Sequence, residues 1–271
     1  MPTNFTPAVL TIAGSDPYGG AGIQVDSKVI HALGGYSFSV TTALTAQNST
    51  GVKDVLPTTI EHFKLQLHSI LDDLQVDAVK IGMLANAEII LVIAEAIKKY
   101  KLKNIVLDTV LVSSSGKVLL EPSAIESMVK ELFPYADVIT PNIPEVNRLL
   151  GTAYQGKDDE VLSIAEGLFA LGVKAVLIKG GHSADKENAT DHLIERSFIV
   201  KSYSTARVKT THTHGTGCVL SSAIASYLAR GEDLEKSVAL AKDFLYRKFH
   251  TSAVLNFKYR EENKSRKEPL L

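Results

Sequence analysis

The chain has 271 residues, 45% of them hydrophobic and 22% charged, with a formal net charge of −1. That is enough apolar material for a substantial core, and the near-neutral balance supplies no overall field to attract nucleic acid or an acidic membrane. One cysteine, Cys218, excludes an intrachain disulfide, and the opening MPTNFTPAVLTIAG has no basic segment ahead of an apolar run, so the expectation is a cytoplasmic enzyme rather than a secreted protein.

Residues 9–13 form the first short Val/Ile-type run, followed by a glycine loop at 15–22 and a helical pattern over 22–33 that Gly34 and Gly35 stop. Strand patterns recur at 38–46, 78–81, 105–107, 138–140 and 175–178. Helical patterns at 60–74, 87–100, 123–132, 145–150 and 159–171 separate them. The longest apolar stretch, 89–97, is broken by Glu95 and is too short to span a bilayer. After Gly180 the pattern changes: 192–208 alternates, as strands or a hairpin near a sheet edge do, and helices resume at 217–229 and 234–249. The alternation predicts an α/β fold with a central, mostly parallel sheet flanked by helices on both faces. No repeat or low-complexity linker divides the chain. The expectation is one domain over 1–257 and a basic, frayed tail over 258–271 carrying Lys258, Arg260, Lys264, Arg266 and Lys267.

In open parallel sheets, ligands sit beyond the carboxyl ends of the strands. Polar motifs fall there in series: Gly14 to Asp16, Gln47 and Asn48, Gly82 and Met83, Asp108 and Thr109, Asn142 to Glu145, and Lys179 to Gly181. The sharpest motif is His214-Gly215-Thr216-Gly217-Cys218 before a small-residue helix. Its glycines let successive amides turn toward one anion, and the helix dipole adds positive charge there. Phosphoryl transfer needs that kind of charge stabilisation. It is not a Walker loop, because no Gly-Lys-Ser/Thr follows; the plainer alternative is a glycine turn capping a helix. The first loop, Gly19, Gly20 and Gly22, fails the spacing of a dinucleotide fingerprint. Asp26, one turn beyond it, faces either the same cleft or solvent. His212, His214 and Cys218 include zinc-type donors, but no second cysteine or further histidine cluster completes a tetrahedral set.

Eight segments together carry a resemblance: TIAGSD (11–16), GGAGIQ (19–24), TALTAQN (42–48), KIGML (80–84), VLDTV (106–110), TPNIPE (140–145), KGGH (179–182) and HGTGC (214–218). In this order they resemble the hydroxymethylpyrimidine/phosphomethylpyrimidine kinases of thiamine biosynthesis, which have the ribokinase-like fold. The resemblance implies phosphorylation of the pyrimidine alcohol and then of its monophosphate, with ATP and Mg2+ as cofactors. Its partners are small molecules, with no nucleic acid or membrane, and a homodimer is left open.

By the same resemblance Gln47 reads the pyrimidine, and the chemistry agrees: a carboxamide offers a donor and an acceptor side by side, complementary to an aminopyrimidine edge. Gly14, Asp26, Met83 and Val110 complete the substrate wall. Gly215, Thr216, Gly217 and Cys218 form the anion hole. Cys218 is expected to be the base, its thiol pKa lowered at the helix N-terminus. Asp108, Asn142 and Glu145 are the expected magnesium ligands, and Lys179, Asn142 and Thr213 the nucleotide contacts. Asn142 and Glu145 also have the spacing of a helix capping box.

The resemblance weakens at Tyr18, where a small residue is usual, and at Tyr246, Arg247 and Lys248 near the expected adenine pocket. Alternatives are a pyridoxine or pyridoxal kinase, a non-catalytic ligand-binding relative, and a dinucleotide oxidoreductase.

Overall fold

The computed structural model describes residues 5–113, 116–182, 185–210, 212–251, 255, 257–260 and 266–271. In chain order the elements are β1 (Ala8–Ser15), α1 (Gly22–Ala32), β2 (Tyr36–Asn48), β3 (Gly51–Pro57), α2 (Ile60–Leu71), β4 (Ala78–Ile81), α3 (Ala87–Tyr100), β5 (Ile105–Leu107), α4 (Pro122–Glu131), β6 (Val138–Ile139), α5 (Ile143–Leu150), α6 (Val161–Ala170), β7 (Ala175–Ile178), β8 (Asn188–Glu195), β9 (Val200–Ala206), α7 (Thr216–Ala229) and α8 (Leu234–Thr251). The sheet order is β3-β2-β1-β4-β5-β6-β7-β8-β9. Its middle, from β2 to β7, is parallel. β3 at one edge and β8 and β9 at the other are antiparallel.

The period-two geometry of a strand divides its side chains between the two faces. On one face Leu10, Ile12, Val79, Ile81, Ile105, Leu107, Ile139, Val176 and Ile178 pack under α2, α3, α4, α5 and α6. On the other Val9, Ala78, Val106, Val138, Ala175 and Leu177 pack under α1, α7 and α8. Buried parallel strands therefore read as continuous apolar runs rather than alternating ones. α7 is buried along its whole length from Val219 to Ala229. Its Ser and Ala residues let it lie between the sheet, α1 and α8.

Two findings differ from the sequence expectations. β3 is a strand where none was expected. It pairs with β2 from Ala43↔Pro57 to Asn48↔Gly51, and half-buried or exposed residues give it no apolar run. The tail is not frayed over 266–271. Leu270 is only 2% exposed, and Pro269 forms a parallel bridge with His214. Lys264 falls within 261–265, outside the described residues. No helix among the described residues is long and apolar enough to cross a membrane.

Candidate active site

The carboxyl ends of the parallel strands open into one cleft of about 930 Å³. Gly14, Gln47, Met83, Asp108, Val110, Asn142, Glu145, Lys179, Thr213 and the 215–218 segment all line it. Another part of its lining, from α8, the end of β9 and the residues just after it, carries Leu245, Tyr246, Phe249, Ala206 and Val208. Of Tyr246, Arg247 and Lys248, only Tyr246 reaches the cleft: Arg247 pairs with Asp243 and Lys248 lies 5.2 Å over the Phe244 ring.

The two glycine loops form a single joint. Gly215 takes the left-handed conformation (φ +79°) as the N-cap of α7, and a Cβ there would lie 1.7 Å from the Gly20 carbonyl oxygen. Only glycine accepts both demands. No side chain caps α7, so the first-turn N–H groups keep their hydrogen-bonding capacity at the cleft. Asp16 locks the joint. Its Oδ1 accepts from the Tyr18 amide at 2.8 Å, and its Oδ2 from the Gly20 amide at 3.0 Å and the Ala21 amide at 2.9 Å. Asp16 Oδ2 also meets His214 Nε2 at 2.9 Å. Burial opposes its ionisation most, yet hydrogen bonds from His214 and Gln47 hold the carboxyl below its usual range. Gln47 is thereby oriented from one side at the end of β2.

The second cluster surrounds Asp108, just past β5. Lys179 Nζ lies 2.7 Å from Asp108 Oδ1, Thr140 donates to the same oxygen at 3.0 Å, and Ser221 of α7 donates to Oδ2 at 3.3 Å. Burial works against the charge of Asp108, but Lys179 and Lys80 hold its pKa low; burial likewise opposes the charge of Lys179, which Asp108 and Glu145 stabilise and so raise its pKa. Asp108 Oδ2 and Lys179 Nζ come within 3.3 and 3.4 Å of where a Gly217 side chain would begin, so this ion pair abuts the anion hole. Glu145 Oε2 accepts from Thr109 at 3.1 Å and from the Asn142 amide at 2.9 Å, and lies 3.9 Å from Lys179. Burial pushes the Glu145 carboxyl up to about 7, with Lys179 opposing and Asp108 reinforcing.

Two expectations need correction. Asp26 does not face the cleft. It is fully buried, with Oδ2 bound to Thr11 at 2.5 Å and to Lys80 at 2.9 Å, and Oδ1 to Ser222 at 2.7 Å. It is the partner of a lysine in a central strand, and Lys80 in the run Ala-Val-Lys-Ile was the sequence signal for it. The Cys218 thiol is not acidified. Burial pushes it up to about 11; Lys80 pulls it down, but Asp26 and Asp108 add to the rise. The helix terminus is outweighed by desolvation and two nearby carboxylates. Asn142 lines the cleft and also caps α5, its Oδ1 accepting from the Glu145 amide at 2.9 Å, as the capping-box spacing suggested. Tyr18 lies away from the cleft, its hydroxyl 2.6 Å from that of Tyr259.

Sequence reasoning gave no role to Asp16, Lys80 or the 266–271 segment. His212 and His214 are turned to other duties. His212 contacts Glu268 Oε2 at 3.0 Å and the Pro269 carbonyl at 3.1 Å, while His214 holds Asp16.

Residues 16–261 match the family model described as phosphomethylpyrimidine kinase. The chain belongs to the phosphomethylpyrimidine kinase family. It is 44% identical over 236 residues to a hydroxymethylpyrimidine/phosphomethylpyrimidine kinase of Salmonella typhimurium, covering 87% of this chain and 88% of that protein. It is 43% identical over 246 residues to a probable chloroplastic thiamine biosynthetic bifunctional enzyme of rice, covering 91% of this chain but only 45% of that longer protein. Among solved structures, a phosphomethylpyrimidine kinase from Clostridium difficile 630 superposes with TM-score 0.78 at 42% identity, covering 89% of this chain and 99% of that one. A Staphylococcus aureus pyridoxal kinase in complex with AMP-PCP superposes with TM-score 0.83 at 32% identity, covering 91% of this chain and 89% of that one. The ribokinase-like fold and the kinase class follow from these matches.

Proposed function

We propose that this chain transfers the γ-phosphoryl group of ATP to 4-amino-5-hydroxymethyl-2-methylpyrimidine, and then to the monophosphate so formed, in thiamine biosynthesis. The observation that carries the reading is that Gln47 and the 215–218 segment line the same cleft. The pyrimidine edge meets the Gln47 carboxamide while its side-chain oxygen lies beside the anion hole. The amides at the start of α7 take up the charge that develops on the migrating group, and Lys179 adds a cation to the same region. The apolar wall of Leu245, Tyr246 and Phe249 suits a nucleotide base.

Asp108 and Glu145 fit a magnesium ion that arrives with the ATP phosphates. No group of three His, Cys, Asp or Glu among the described residues makes an all-protein cage, and magnesium is commonly bound by one or two carboxylates with phosphate oxygens and water completing the shell. When bound, the ion neutralises charge between the phosphates. In the transfer itself the acceptor oxygen bonds to the γ-phosphorus, the bond to the bridging oxygen of ADP breaks, and the hydroxyl proton leaves late, as the new bond forms, to an oxygen of the transferred phosphoryl group and from there to solvent water. A preformed thiolate is therefore not needed, and Cys218 acts as a neutral group beside the acceptor.

An assay of ADP release with the pyrimidine alcohol, its monophosphate and pyridoxal as parallel acceptors tests the reading. Turnover on both pyrimidines and slower turnover on pyridoxal is the expected result. Tight binding without turnover, or pyridoxal as the best acceptor, contradicts it.

A further inference from the structure

The segment 266–271 lies beyond the residues matched by the family model, yet it is built into the site. The Lys267 amide donates to the Ser49 carbonyl at 2.9 Å, two residues past Gln47. The His214 amide donates to the Glu268 carbonyl at 3.1 Å, one residue before the anion hole. Pro269 packs on the first glycine loop, its Cβ 2.9 Å from where a Gly20 side chain would begin. Leu270 is buried in the core under α1 and α7, and Lys28 Nζ holds the Leu271 carbonyl oxygen at 2.9 Å. The segment is thus a strap that crosses from the pyrimidine-reading strand to the anion-hole loop, anchored at both ends. Where it crosses, Lys267 lines the cleft.

The two acceptors differ at one point: the alcohol is neutral there, whereas the monophosphate carries between one and two negative charges. The anion-hole amides hold the migrating phosphoryl group, so a second phosphate on the acceptor side needs a cation of its own. We propose that Lys267 is that cation, a specificity residue that fits the acceptor pocket to a phosphomonoester. The proposal rests on the two-step reading above. Lysine suits the task, since a flexible point charge can follow an oxygen that is itself a nucleophile better than a rigid guanidinium fork.

The test compares kcat/KM for the alcohol and for the monophosphate in the unsubstituted protein and in Lys267→Ala, Lys267→Gln and Lys267→Arg. The strap is anchored by backbone groups and by Leu270, so these variants keep the fold, which thermal melting checks. In Lys267→Ala and Lys267→Gln the ratio of monophosphate to alcohol efficiency falls about ten-fold or more, mainly through KM for the monophosphate. Lys267→Arg recovers most of it. Added salt raises the monophosphate KM of the unsubstituted protein more steeply than that of Lys267→Gln. An unchanged ratio, or equal losses on both acceptors, overturns the role of Lys267 and leaves the kinase reading standing. Failure of the unsubstituted protein to use either pyrimidine overturns both. A variant that melts early is judged by direct titration of the monophosphate at low temperature, where unchanged affinity counts against the proposal.

Discussion

Lys80 and Asp26 meet at 2.9 Å with neither side chain exposed, whereas Lys179 and Asp108 meet at 2.7 Å with 14% of the lysine side chain exposed at the cleft. Lys80 lies in β4 and Lys179 just past β7, both parallel strands, and both aspartates are held by hydroxyl donors as well. The difference is what lies in front of them. Asp26 is closed in by Thr11 and Ser222, so its pair joins β1, α1, β4 and α7, and of the two partners only Lys80 borders the cleft. Asp108 faces the Gly217 turn, so on the proposed function the same chemistry would act on phosphates. A buried ion pair is scaffold or machinery according to whether a substrate reaches it.

That contrast can be broken from either side. The largest effect is expected for Asp108→Asn, which removes the charge beside Lys179 and Gly217. kcat should fall about 10²- to 10³-fold, in the range seen when one transition-state electrostatic contact is lost, with a smaller cost in stability because Lys179 reaches the cleft. If Asp108→Asn mainly lowers the melting temperature and spares kcat, the pair is scaffold. Asp26→Asn should do the reverse. It leaves Lys80 charged and buried without its partner, at a cost of about 3–5 kcal/mol in urea denaturation, while kcat per folded molecule falls far less than in Asp108→Asn. Equal catalytic losses in the two variants would erase the distinction. The smallest effect is expected for Cys218→Ala. With the thiol pushed up to about 11, the kcat loss on the alcohol should stay below the roughly 10²-fold that marks the low end for an acid–base catalyst, and the loss on the monophosphate should be smaller still. A loss near 10⁴-fold would restore the thiolate base.

The layers of the fold were legible because buried parallel strands and the helices between them carry strong, simple patterns. Ala78–Ile81, Ile105–Leu107 and Ala175–Ile178 keep the bounds that their apolar runs suggested. α5 starts earlier than its hydrophobic pattern, because Asn142 caps it and Pro144 sits in its first turn, where the missing N–H costs nothing. β3 was hidden because it is an edge strand, partnered on one side by β2, with Lys53 and Asp54 exposed. The strap was hidden for a related reason: Lys267 and Glu268 look like a solvated end, and only Leu270 points to burial. Within the site, residue types at strand ends predicted which groups would gather. They did not predict orientation. Asp26 lies on the α1 face turned to Lys80, and burial of Cys218, reinforced by Asp26 and Asp108, outweighs its helix terminus in deciding its charge.

A crystal structure with ADP, magnesium, aluminium fluoride and the pyrimidine alcohol shows directly whether the two elements serve one reaction. The expected result is the planar fluoride against the 215–218 amides and the aminopyrimidine edge on the Gln47 carboxamide, in one cleft. A pyrimidine bound in a separate cavity, or a fluoride held away from those amides, contradicts it.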